Sequence, residues 1–422
     1  MQFLYTLVIY LLLPFVLLRL LYLGINNPGY RSRWQERFGF VDSIKFNKPI
    51  IWIHAVSVGE VNAARPIIGH LLESYPQYQL LVTTVTPTGA ATVKQHFNND
   101  VIHYYFPYDL PVSVKRFIKA IKPSLFITME TEIWPNLFCQ LHRSKIPVLI
   151  INARLSEKSA NGYRLISGLT KRTLSFVSDI AVQTKRDQER FISLGMPNEK
   201  VAVTGNLKFD ITVPVSISEQ AESLKRYFSV NRPIWIAAST HEGEEEIVLK
   251  AHKAIEQKHN SAILIIAPRH PERTHQVVSL CNSHGFKVVK RTDQIPFAGD
   301  CQVYILDTLG ELQLHYAASQ LAFVGGSLVN TGGQNMMEPA SLGIPVICGP
   351  STYNFVEITD LLKKQDALIT VSNYADLASQ VCKLFEDANV RHTLGEKARE
   401  VIESNRGNVA RLLQIVEPYL SR

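Results

Sequence analysis

Short apolar runs rich in β-branched residues alternate with amphipathic stretches along most of the chain, and this alternation constrains the fold more than any other feature. Such a rhythm is typical of βα units, in which a parallel sheet is covered by helices on both faces. The predicted strands are 50–54, 80–84, 101–105, 125–129, 148–152 and 180–183, and after a break 234–238, 262–267, 303–306, 321–324, 345–348 and 368–371.

The rhythm stops near residues 204–210 and restarts at 234, which predicts an α/β protein with two doubly wound parallel-sheet domains that face each other across a cleft. With 422 residues, 46% of them hydrophobic, the chain is long enough for two cores. We assign 25–207 to the first domain and 208–400 to the second. The region 390–420 is predicted to be helical throughout, and we expect its last part, 401–422, to pack across both domains.

The segment 3–23 is almost wholly apolar, with the sequence FLYTLVIYLLLPFVLLRLLYL. As a helix it would measure roughly 31 Å, about one hydrocarbon thickness. It lacks the basic start and the small-residue cleavage site of a removable signal peptide, so we expect residues 1–24 to be retained as a membrane anchor. Pro14 and Arg19 leave open a segment that lies in the membrane interface, and a buried core helix is a further alternative.

The charge is unevenly distributed between the two halves. Residues 1–207 carry 23 Lys and Arg against 13 Asp and Glu, whereas residues 208–422 carry 21 against 24. A basic half is typical of proteins that meet nucleic acid, an anionic membrane or an acidic substrate, and also of a merely solvated surface. Because Arg31, Arg33, Arg37, Lys45 and Lys48 follow the apolar segment, we place the body on the cytoplasmic side of a membrane and expect no nucleic-acid partner.

Several familiar chemistries are excluded by motifs that the sequence lacks. It has no GxxxxGK[ST] loop, no GxGxxG after the first strand and no HExxH. The turn at Ser57 is similar to a nucleophile elbow, but Ala55 stands where that turn needs glycine. The five cysteines form no CxxC pair and the acids show no ligand spacing, so we expect a reducing compartment, no disulfide framework and no metal.

Two segments of the first domain place acids directly after strands. Glu60 falls where a helix begins, behind a tight turn that contains Ser57 and Gly59. Glu130 and Glu132 follow another strand and precede a Trp-Pro pair at a predicted helix start. Carboxylates in such positions can bind sugar hydroxyls while the indole stacks on a sugar face. Ordinary helix capping beside a core tryptophan is the alternative.

Four polar segments follow strands of the second domain, at 238–245, 267–273, 307–312 and 325–340. Because the strands are parallel, these segments should lie at one edge of one sheet. Glycines allow close backbone approach, so a phosphate can meet amide donors at a helix N-terminus, with added charge from Arg269 or His270. Glu338 is suited to accept hydrogen bonds from ribose hydroxyls. The glycines concerned are Gly325, Gly326, Gly332 and Gly333.

Together, these and neighbouring motifs resemble the 3-deoxy-D-manno-octulosonic acid (Kdo) transferases of lipid A assembly in Gram-negative bacteria. The resemblance implies a GT-B fold, CMP-Kdo as donor and lipid IVA, a phosphorylated acylated disaccharide, as acceptor. It also implies work at the cytoplasmic face of the inner membrane, without a metal at the chemical step. The motifs are SVGE at 57–60, ETEIWPN at 130–136, NARLS at 152–156, NLKFD at 206–210, STHEGE at 239–244, PRHPER at 268–273 and FVGGS at 323–327.

Carried over position by position, the resemblance makes Glu60 the general base, which takes the proton of the acceptor hydroxyl as that oxygen attacks the anomeric carbon with inversion. Ser57, Gly59, Glu130 and Glu132 are candidates for binding the acceptor. The contacts to CMP fall on Pro268, Arg269, Leu309, Gly310, Glu311, Asn335, Met336, Met337 and Glu338.

The chain departs from the family pattern in one place. Where the pattern expects GGHNPLEP, residues 332–339 have GGQNMMEP, so that Gln334 and Met336 replace a histidine and a proline.

Two other functions stay open. A sugar-nucleotide epimerase would use the second domain but would have no use for an anchor or a basic acceptor surface. A non-catalytic, membrane-tethered nucleotide-binding scaffold would not need Glu60.

Overall fold

The computed structural model describes residues 1–42, 48–229, 232–297 and 299–420. Lys45, one of the basic residues predicted to flank the apolar segment, lies outside the described residues. The chain divides into two compact units. The first combines Met1–Asp210 with the segment that starts at Gly407, and the second comprises Ile211–Arg406. The division therefore lies after Asp210 rather than after residue 207.

In its described residues, the first unit contains a parallel sheet of seven strands in the order β3-β2-β1-β4-β5-β6-β7. Side chains of β1 alternate between two cores, with Trp52 on one face and Ile51 and Ile53 on the other, as the two-residue period of a strand requires. The strands are β1 Ile50–His54, β2 Gln79–Thr84, β3 Ile102–Tyr105, β4 Pro123–Met129, β5 Val148–Ala153, β6 Asp179–Val182 and β7 Val201–Val203.

Helices cover both faces of this sheet. Phe117 and Phe138 pack on the face of Trp52, whereas Val61 and Ile67 pack on the other face. The helices are α1 Gln2–Asn26, α2 Trp34–Arg37, α3 Val58–Ser74, α4 Pro87–Phe97, α5 Pro111–Ile121, α6 Pro135–Arg143, α7 Glu157–Leu165, α8 Ser167–Leu174 and α9 Lys185–Ser193.

The second unit has a parallel sheet of its own, with seven strands among the residues described, in the order β10-β11-β9-β8-β12-β13-β14. These strands are β8 Ile234–Thr240, β9 Ile263–Pro268, β10 Val288–Lys290, β11 Val303–Ile305, β12 Leu321–Val324, β13 Val346–Cys348 and β14 Leu368–Thr370. The helices are α10 Ile217–Phe228, α11 Glu244–Glu256, α12 Thr274–Ser283, α13 Leu312–Ala318, α14 Met337–Ser341, α15 Val356–Lys364, α16 Tyr374–Glu386 and α17 Ala388–Ser404. Two parallel sheets covered by helices confirm the predicted α/β class.

The C-terminal region is not the single continuous helix that the sequence predicts. After α17, the backbone turns at Gly407, whose φ of 83° suits glycine, and a separate helix α18 follows at Asn408–Val416. Leu412 and Val416 are buried in the core of the first unit. The region expected to pack across both domains is thus divided: α17 belongs to the second unit and α18 to the first.

The N-terminal apolar segment forms one unbroken helix, α1, that passes through Pro14. By length and composition α1 can cross a membrane, and only 11% of its most apolar 18-residue window is buried inside the protein. A core helix would be mostly buried, so the alternative of a buried core helix does not fit.

Candidate active site

Glu60 stands in the first turn of α3, directly after β1. Its Oε2 atom accepts the backbone N–H of Val56 at 2.8 Å, so one carboxylate oxygen folds back on the turn that leads into the helix. Ser57 is the N-cap residue, but its side chain makes no capping hydrogen bond. A Cβ atom placed on Gly59 would meet no atom within 4 Å. The turn therefore borders open space, and the fold itself does not require glycine at this position.

The surroundings of Glu60 favour its neutral form. The pKa of Glu60 is raised to about 8, mainly by burial and further by the nearby charges of Glu130 and Glu132. The Val56 N–H and the charge of Lys208 act in the opposite direction and reduce the rise. The three acids predicted from two separate segments thus act on one another in the structure. Because a carboxylate with a raised pKa is a stronger base, this setting suits proton abstraction.

Glu130 owes its position to an uncommon backbone conformation. Its φ is 55°, in the left-handed region, and its N–H donates to the carbonyl of Ile151 at 2.9 Å. The next residue, Thr131, donates its hydroxyl to the carbonyl of Arg154. A non-glycine residue in this region costs on the order of 1 kcal/mol, and such residues cluster at functional sites.

Trp134 does not stand free beside the acids. Its ring packs against Phe106 with 5.3 Å between the centroids, so part of the indole surface already belongs to the protein interior. Burial raises the pKa of Glu132, whereas the indole N–H of Trp134 lowers it. The predicted stacking on a sugar therefore has less indole surface available than the sequence indicates.

Lys208 is a site residue that the sequence analysis missed. It lies in the short 3₁₀ turn Leu207–Phe209, and its positive charge acts to lower the pKa of Glu60. The turn is held by Asn152, whose Oδ1 atom accepts the N–H of Leu207 at 3.1 Å and whose φ is 50°. The NARLS and NLKFD motifs contain Asn152 and Lys208, so the sequence does carry a signal for this turn.

In the second unit, the glycine loop after β12 is occupied by a side chain of the protein. The Glu244 carboxylate accepts the backbone N–H groups of Gly326 at 2.7 Å, Ser327 at 3.1 Å and Leu328 at 2.9 Å. Gly333 likewise donates its N–H to the carbonyl of Gly326 at 2.7 Å. These amides are therefore not free for a phosphate, contrary to the expectation from the glycine pattern.

Arg269 and Glu338, two of the candidates for CMP binding, lie in segments that follow the parallel strands β9 and β12 of the second sheet. Arg269 is exposed after β9, and its N–H donates to the carbonyl of Thr240 at 3.0 Å. Burial raises the pKa of Glu338, while Asn335 and Arg269 lower it. Asn335 binds Glu338 directly, with Nδ2 at 2.9 Å from Oε1. The charge of Arg269 thus acts on the Glu338 carboxylate, an arrangement compatible with phosphate and ribose recognition.

The two departures from the family pattern have identifiable surroundings. The Nε2 atom of Gln334 lies 3.0 Å from Nε2 of His241. Met336 is fully buried, with the Thr359 hydroxyl 3.9 Å from its sulfur. The turn that a proline would stiffen is held by Asn335, whose Oδ1 atom accepts the N–H of Met337 at 3.1 Å.

Not all predicted CMP contacts offer a side chain. Pro268, Met336 and Met337 are buried, so any contact from them would have to use backbone atoms. Leu309 is 71% exposed, and Gly310 has a φ of 87° that suits glycine.

Glu311 is already committed to partners within the second unit. Burial raises its pKa, but Arg291, 3.0 Å away, and the Thr308 hydroxyl outweigh that effect and leave it lowered. Among the described residues, no group of three or more His, Cys, Asp or Glu side chains could hold a metal ion.

Solved structures of known proteins share this fold. A UDP-GlcNAc 2-epimerase from Neisseria meningitidis, bound to UDP-GlcNAc, superposes with a TM-score of 0.58 at 16% identity, over 89% of this chain and 100% of that one. A glycosyltransferase from Rickettsia africae superposes with a TM-score of 0.55 at 13% identity, over 89% and 99%. At these identities the likeness shows the fold alone. The protein is thus of the GT-B-like class, as predicted.

Sequence relatives identify the family. Residues 32–211 match the family described as 3-deoxy-D-manno-octulosonic-acid transferase. The 3-deoxy-D-manno-octulosonic acid transferase of Haemophilus influenzae is 42% identical over 424 residues, which cover 100% of this chain and 99% of that protein. The transferase of the same name from Bordetella pertussis is 30% identical over 380 residues, 88% and 87% of the two chains. This chain belongs to the Kdo transferase family, and its activity is glycosyl transfer of Kdo.

Proposed function

We propose that this Kdo transferase moves Kdo from CMP-Kdo to a sugar hydroxyl of lipid IVA, with inversion and without a metal at the chemical step. The hydroxyl oxygen bonds to the anomeric carbon of Kdo while its proton passes to the carboxylate of Glu60. The bond from that carbon to the phosphate oxygen breaks on the opposite face, and its electron pair leaves with CMP. Atoms and charge balance without a further reactant.

The acidic group formed by Glu60, Glu130 and Glu132 is the observation that carries the proposal. Glu60 has one oxygen bound to Val56, a neighbouring turn open to solvent and a raised pKa, which is the combination that a general base requires. Retention of configuration would need a second carboxylate as nucleophile. Glu130 and Glu132 are instead assigned to acceptor hydroxyls, with Lys208 beside them to attract the acceptor's phosphate.

For the donor, Arg269 and Glu338 are the side chains that support recognition of CMP. Arg269 is exposed and carries the charge that offsets the phosphate as CMP departs. The Glu338 carboxylate, which feels the charge of Arg269 and accepts the Asn335 side-chain N–H, is the group we assign to the ribose hydroxyls.

The proposed location is the cytoplasmic face of the bacterial inner membrane. Support comes from the length, apolar composition and low burial of α1, and from the basic residues that follow it. Lipid IVA is an anionic lipid, so a basic, membrane-attached first unit suits it as an acceptor.

The test is to incubate the protein with CMP-Kdo and lipid IVA and to follow the lipid by mass spectrometry. The proposal expects a lipid that is heavier by Kdo, an equimolar yield of CMP, and an inverted anomeric configuration in the NMR spectrum. A parallel incubation with UDP-GlcNAc alone examines the epimerase alternative. CMP binding without any change in the lipid would favour the scaffold and would contradict the proposal.

A further inference from the structure

The first two turns of α1 are hydrogen-bonded to the folded body of the first unit. The hydroxyl of Tyr5 donates to Oδ2 of Asp109 at 2.9 Å. The hydroxyl of Thr6 donates to Oδ1 of Asn136 at 3.0 Å, and Nε2 of Gln2 lies 3.4 Å from the same oxygen. Asp109 is buried and also accepts the backbone N–H of Asn136 at 3.0 Å, so this contact reaches the start of α6. The beginning of α1 is therefore fixed on the body.

The chain that leaves the other end of α1 is fixed on the same body. A Cβ atom on Gly29 would lie only 2.8 Å from the Cβ of Pro87, which shows how closely the turn after α1 packs on the connection behind β2. The side chain of Arg37 is buried and donates to the carbonyl of Val85 at 2.9 Å. Both ends of α1 thus adjoin one folded unit.

The contacts at the two ends lie on one edge of the first sheet. Val85 and Pro87 follow β2, Asp109 follows β3 and Asn136 follows β4. Because all of these strands are parallel, the connections behind them share the carboxyl edge. β1, which leads to Glu60, lies between β2 and β4 in the sheet. We conclude that α1 extends along the edge that carries the candidate site.

One stripe of α1 is partly covered and the rest is exposed. The partly covered or buried residues recur every three or four positions, as expected for one helix face. They are Gln2, Tyr5, Thr6, Ile9, Leu13, Leu17, Leu20, Leu23 and Gly24. The exposed face is apolar apart from Arg19, and it includes Phe3, Leu4, Leu7, Leu11, Phe15, Leu18, Tyr22 and Ile25.

The exposed apolar surface continues beyond α1. Leu165 is 87% exposed and Ile166 is 42% exposed, directly before α8. A Cβ atom on Gly168, in the first turn of α8, would lie 3.8 Å from the side chain of Met1, so this region adjoins the start of α1. Val112, at the start of α5, is 56% exposed. Val112 follows Pro111, which lines the same cavity as Gln2 and Phe3, so exposed apolar residues of the body flank the first turn of α1.

Two arginines border this surface. A cavity of about 400 Å³ lies between the first turns of α1 and helices α6 and α8, and Phe3, Arg143 and Arg172 are among the residues that line it. Basic side chains beside an exposed apolar face are typical of proteins that bind an anionic lipid surface.

We propose that α1 lies within one leaflet, along the membrane surface, and does not cross the bilayer. Its exposed face forms a single membrane-binding surface with Val112, Leu165 and Ile166, bordered by Arg143 and Arg172, which bind anionic headgroups. A helix that crossed the bilayer would carry residues 2–6 to the side opposite the body and would break their bonds to Asp109 and Asn136. The proposal rests on the membrane attachment of the proposed function but not on the transfer reaction. It holds Glu60 next to the surface from which a lipid acceptor is drawn.

Labelling with a membrane-impermeant maleimide tests the sidedness. All five native cysteines are buried, but Cys139 lines the cavity beside Gln2, so both variants also carry Cys139→Ser. Gln2→Cys reports the start of α1, and Lys48→Cys, exposed directly before β1, reports the body. In sealed inverted membrane vesicles both positions should label to a similar extent, and in intact spheroplasts neither should. Labelling of position 2 from the spheroplast face alone would show a crossing helix and would overturn the proposal.

A depth measurement tests the orientation in vesicles that contain phosphatidylglycerol. Lipids with a nitroxide at different positions on the acyl chain measure how deep an attached fluorophore lies. The depth should be shallow and the same for fluorophores on Leu4→Cys, Leu11→Cys, Leu18→Cys and Ile25→Cys. A crossing helix would instead place position 11 deepest and position 25 near the surface, which would overturn the proposal.

The same measurement extends to the body. A fluorophore on Leu165→Cys should be quenched severalfold more than one on Lys48→Cys, which precedes β1 at the amino edge of the sheet. Equal quenching at the two positions would contradict the membrane-binding surface. Thermal melting verifies that each labelled variant is folded. Because no arm requires catalysis, a failure here and a failure of the transfer reaction are distinguishable.

Discussion

The carboxylate of Glu244 lies 2.7 Å from the backbone nitrogen of Gly326 and accepts its hydrogen bond. The same carboxylate, from the first residue of α11, also accepts the backbone N–H groups of Ser327 and Leu328. It therefore binds the amides that the glycine pattern predicts for a phosphate. A Cβ atom on Gly325 would stand 2.7 Å from Oε2 of Glu244, which explains the first glycine of the loop. The Glu244 carboxylate therefore stabilises the loop, and we expect the nucleotide to be bound beside it.

We expect Glu244→Gln to destabilise the second unit. The neutral amide accepts through one oxygen only and leaves buried N–H groups without a partner, at a cost of about 2 kcal/mol. For a unit of this size that lowers the melting temperature by roughly 4–8 °C. The matched control is Glu246→Gln on the same helix, where the carboxylate is half exposed and pairs only with Lys250. Equal melting of the two variants would contradict the structural role of Glu244.

For nucleotide binding, Arg269→Ala should weaken CMP by about 2 kcal/mol, or roughly thirtyfold, through loss of a charge-assisted phosphate contact. Glu338→Gln should also weaken CMP while leaving the melting temperature near that of the wild type. Isothermal titration calorimetry measures both. Glu272→Gln is the control, since that carboxylate lies three residues after Arg269 and is largely exposed. CMP affinity unchanged in both site variants would remove them from the donor site.

The pH profile of transfer should report the raised pKa of Glu60. A base must be deprotonated, and with a pKa of about 8 only roughly a tenth of Glu60 is in that form at pH 7. The value of kcat/KM for the acceptor should therefore rise about tenfold per pH unit up to pH 8 and level off above it.

Neighbouring charges should move this profile in opposite directions. Glu130→Gln removes a charge that raises the pKa of Glu60, so the midpoint should fall. Lys208→Gln removes a charge that lowers the pKa, so the midpoint should rise. Steady-state rates between pH 5.5 and 9.5 distinguish these shifts from mere losses of activity. A flat wild-type profile, or shifts of the opposite sign, would contradict the electrostatic account.

Deletion of residues 1–24 should release the protein from membranes and leave CMP binding intact, because α1 is the proposed membrane attachment and the proposed CMP site lies in the second unit. Fractionation at high salt, which screens the basic residues, measures the release. The deletion also removes the bond from Tyr5 to Asp109, so some loss of stability in the first unit is expected. Truncated protein that still sediments with membranes in high salt would show that another part of the chain attaches it.

Much of the architecture follows from local patterns. Buried strands such as Ile50–His54 are short, continuous apolar runs, and this pattern identifies them without tertiary information. Two strands were not predicted, Val201–Val203 and Val288–Lys290, each of three residues at the edge of its sheet. The break before α18 was not predicted either. It occurs at Gly407, a single glycine in a sequence that otherwise favours a helix.

The site could be predicted only in part, because its remaining members are brought together by distant segments. The Gly-Gly-Ser loop has the composition of a phosphate loop, and only the fold shows that Glu244, 82 residues before Gly326, fills it. Lys208 comes near Glu60 because Asn152 binds the turn that contains it. Neither relation has a spacing that a single sequence could reveal.

The central claim is that Glu60 is the general base. Glu60→Gln keeps the size of the side chain and can still accept the Val56 N–H, but it cannot take a proton. Because the folded protein raises the pKa of Glu60, the ionised wild-type side chain costs stability as the pH rises from about 4.5 through 8. The glutamine variant should therefore melt no lower than the wild type at pH 8, whereas loss of a helix-capping charge would lower the melting temperature.

The most direct measurement is Kdo transfer by Glu60→Gln, with CMP affinity and thermal melting recorded on the same preparation. We expect transfer to fall by at least roughly a hundredfold, while CMP affinity and melting stay at wild-type values or above. Near-normal transfer by this folded variant would contradict the account and would direct the search for the base to Glu130 and Glu132.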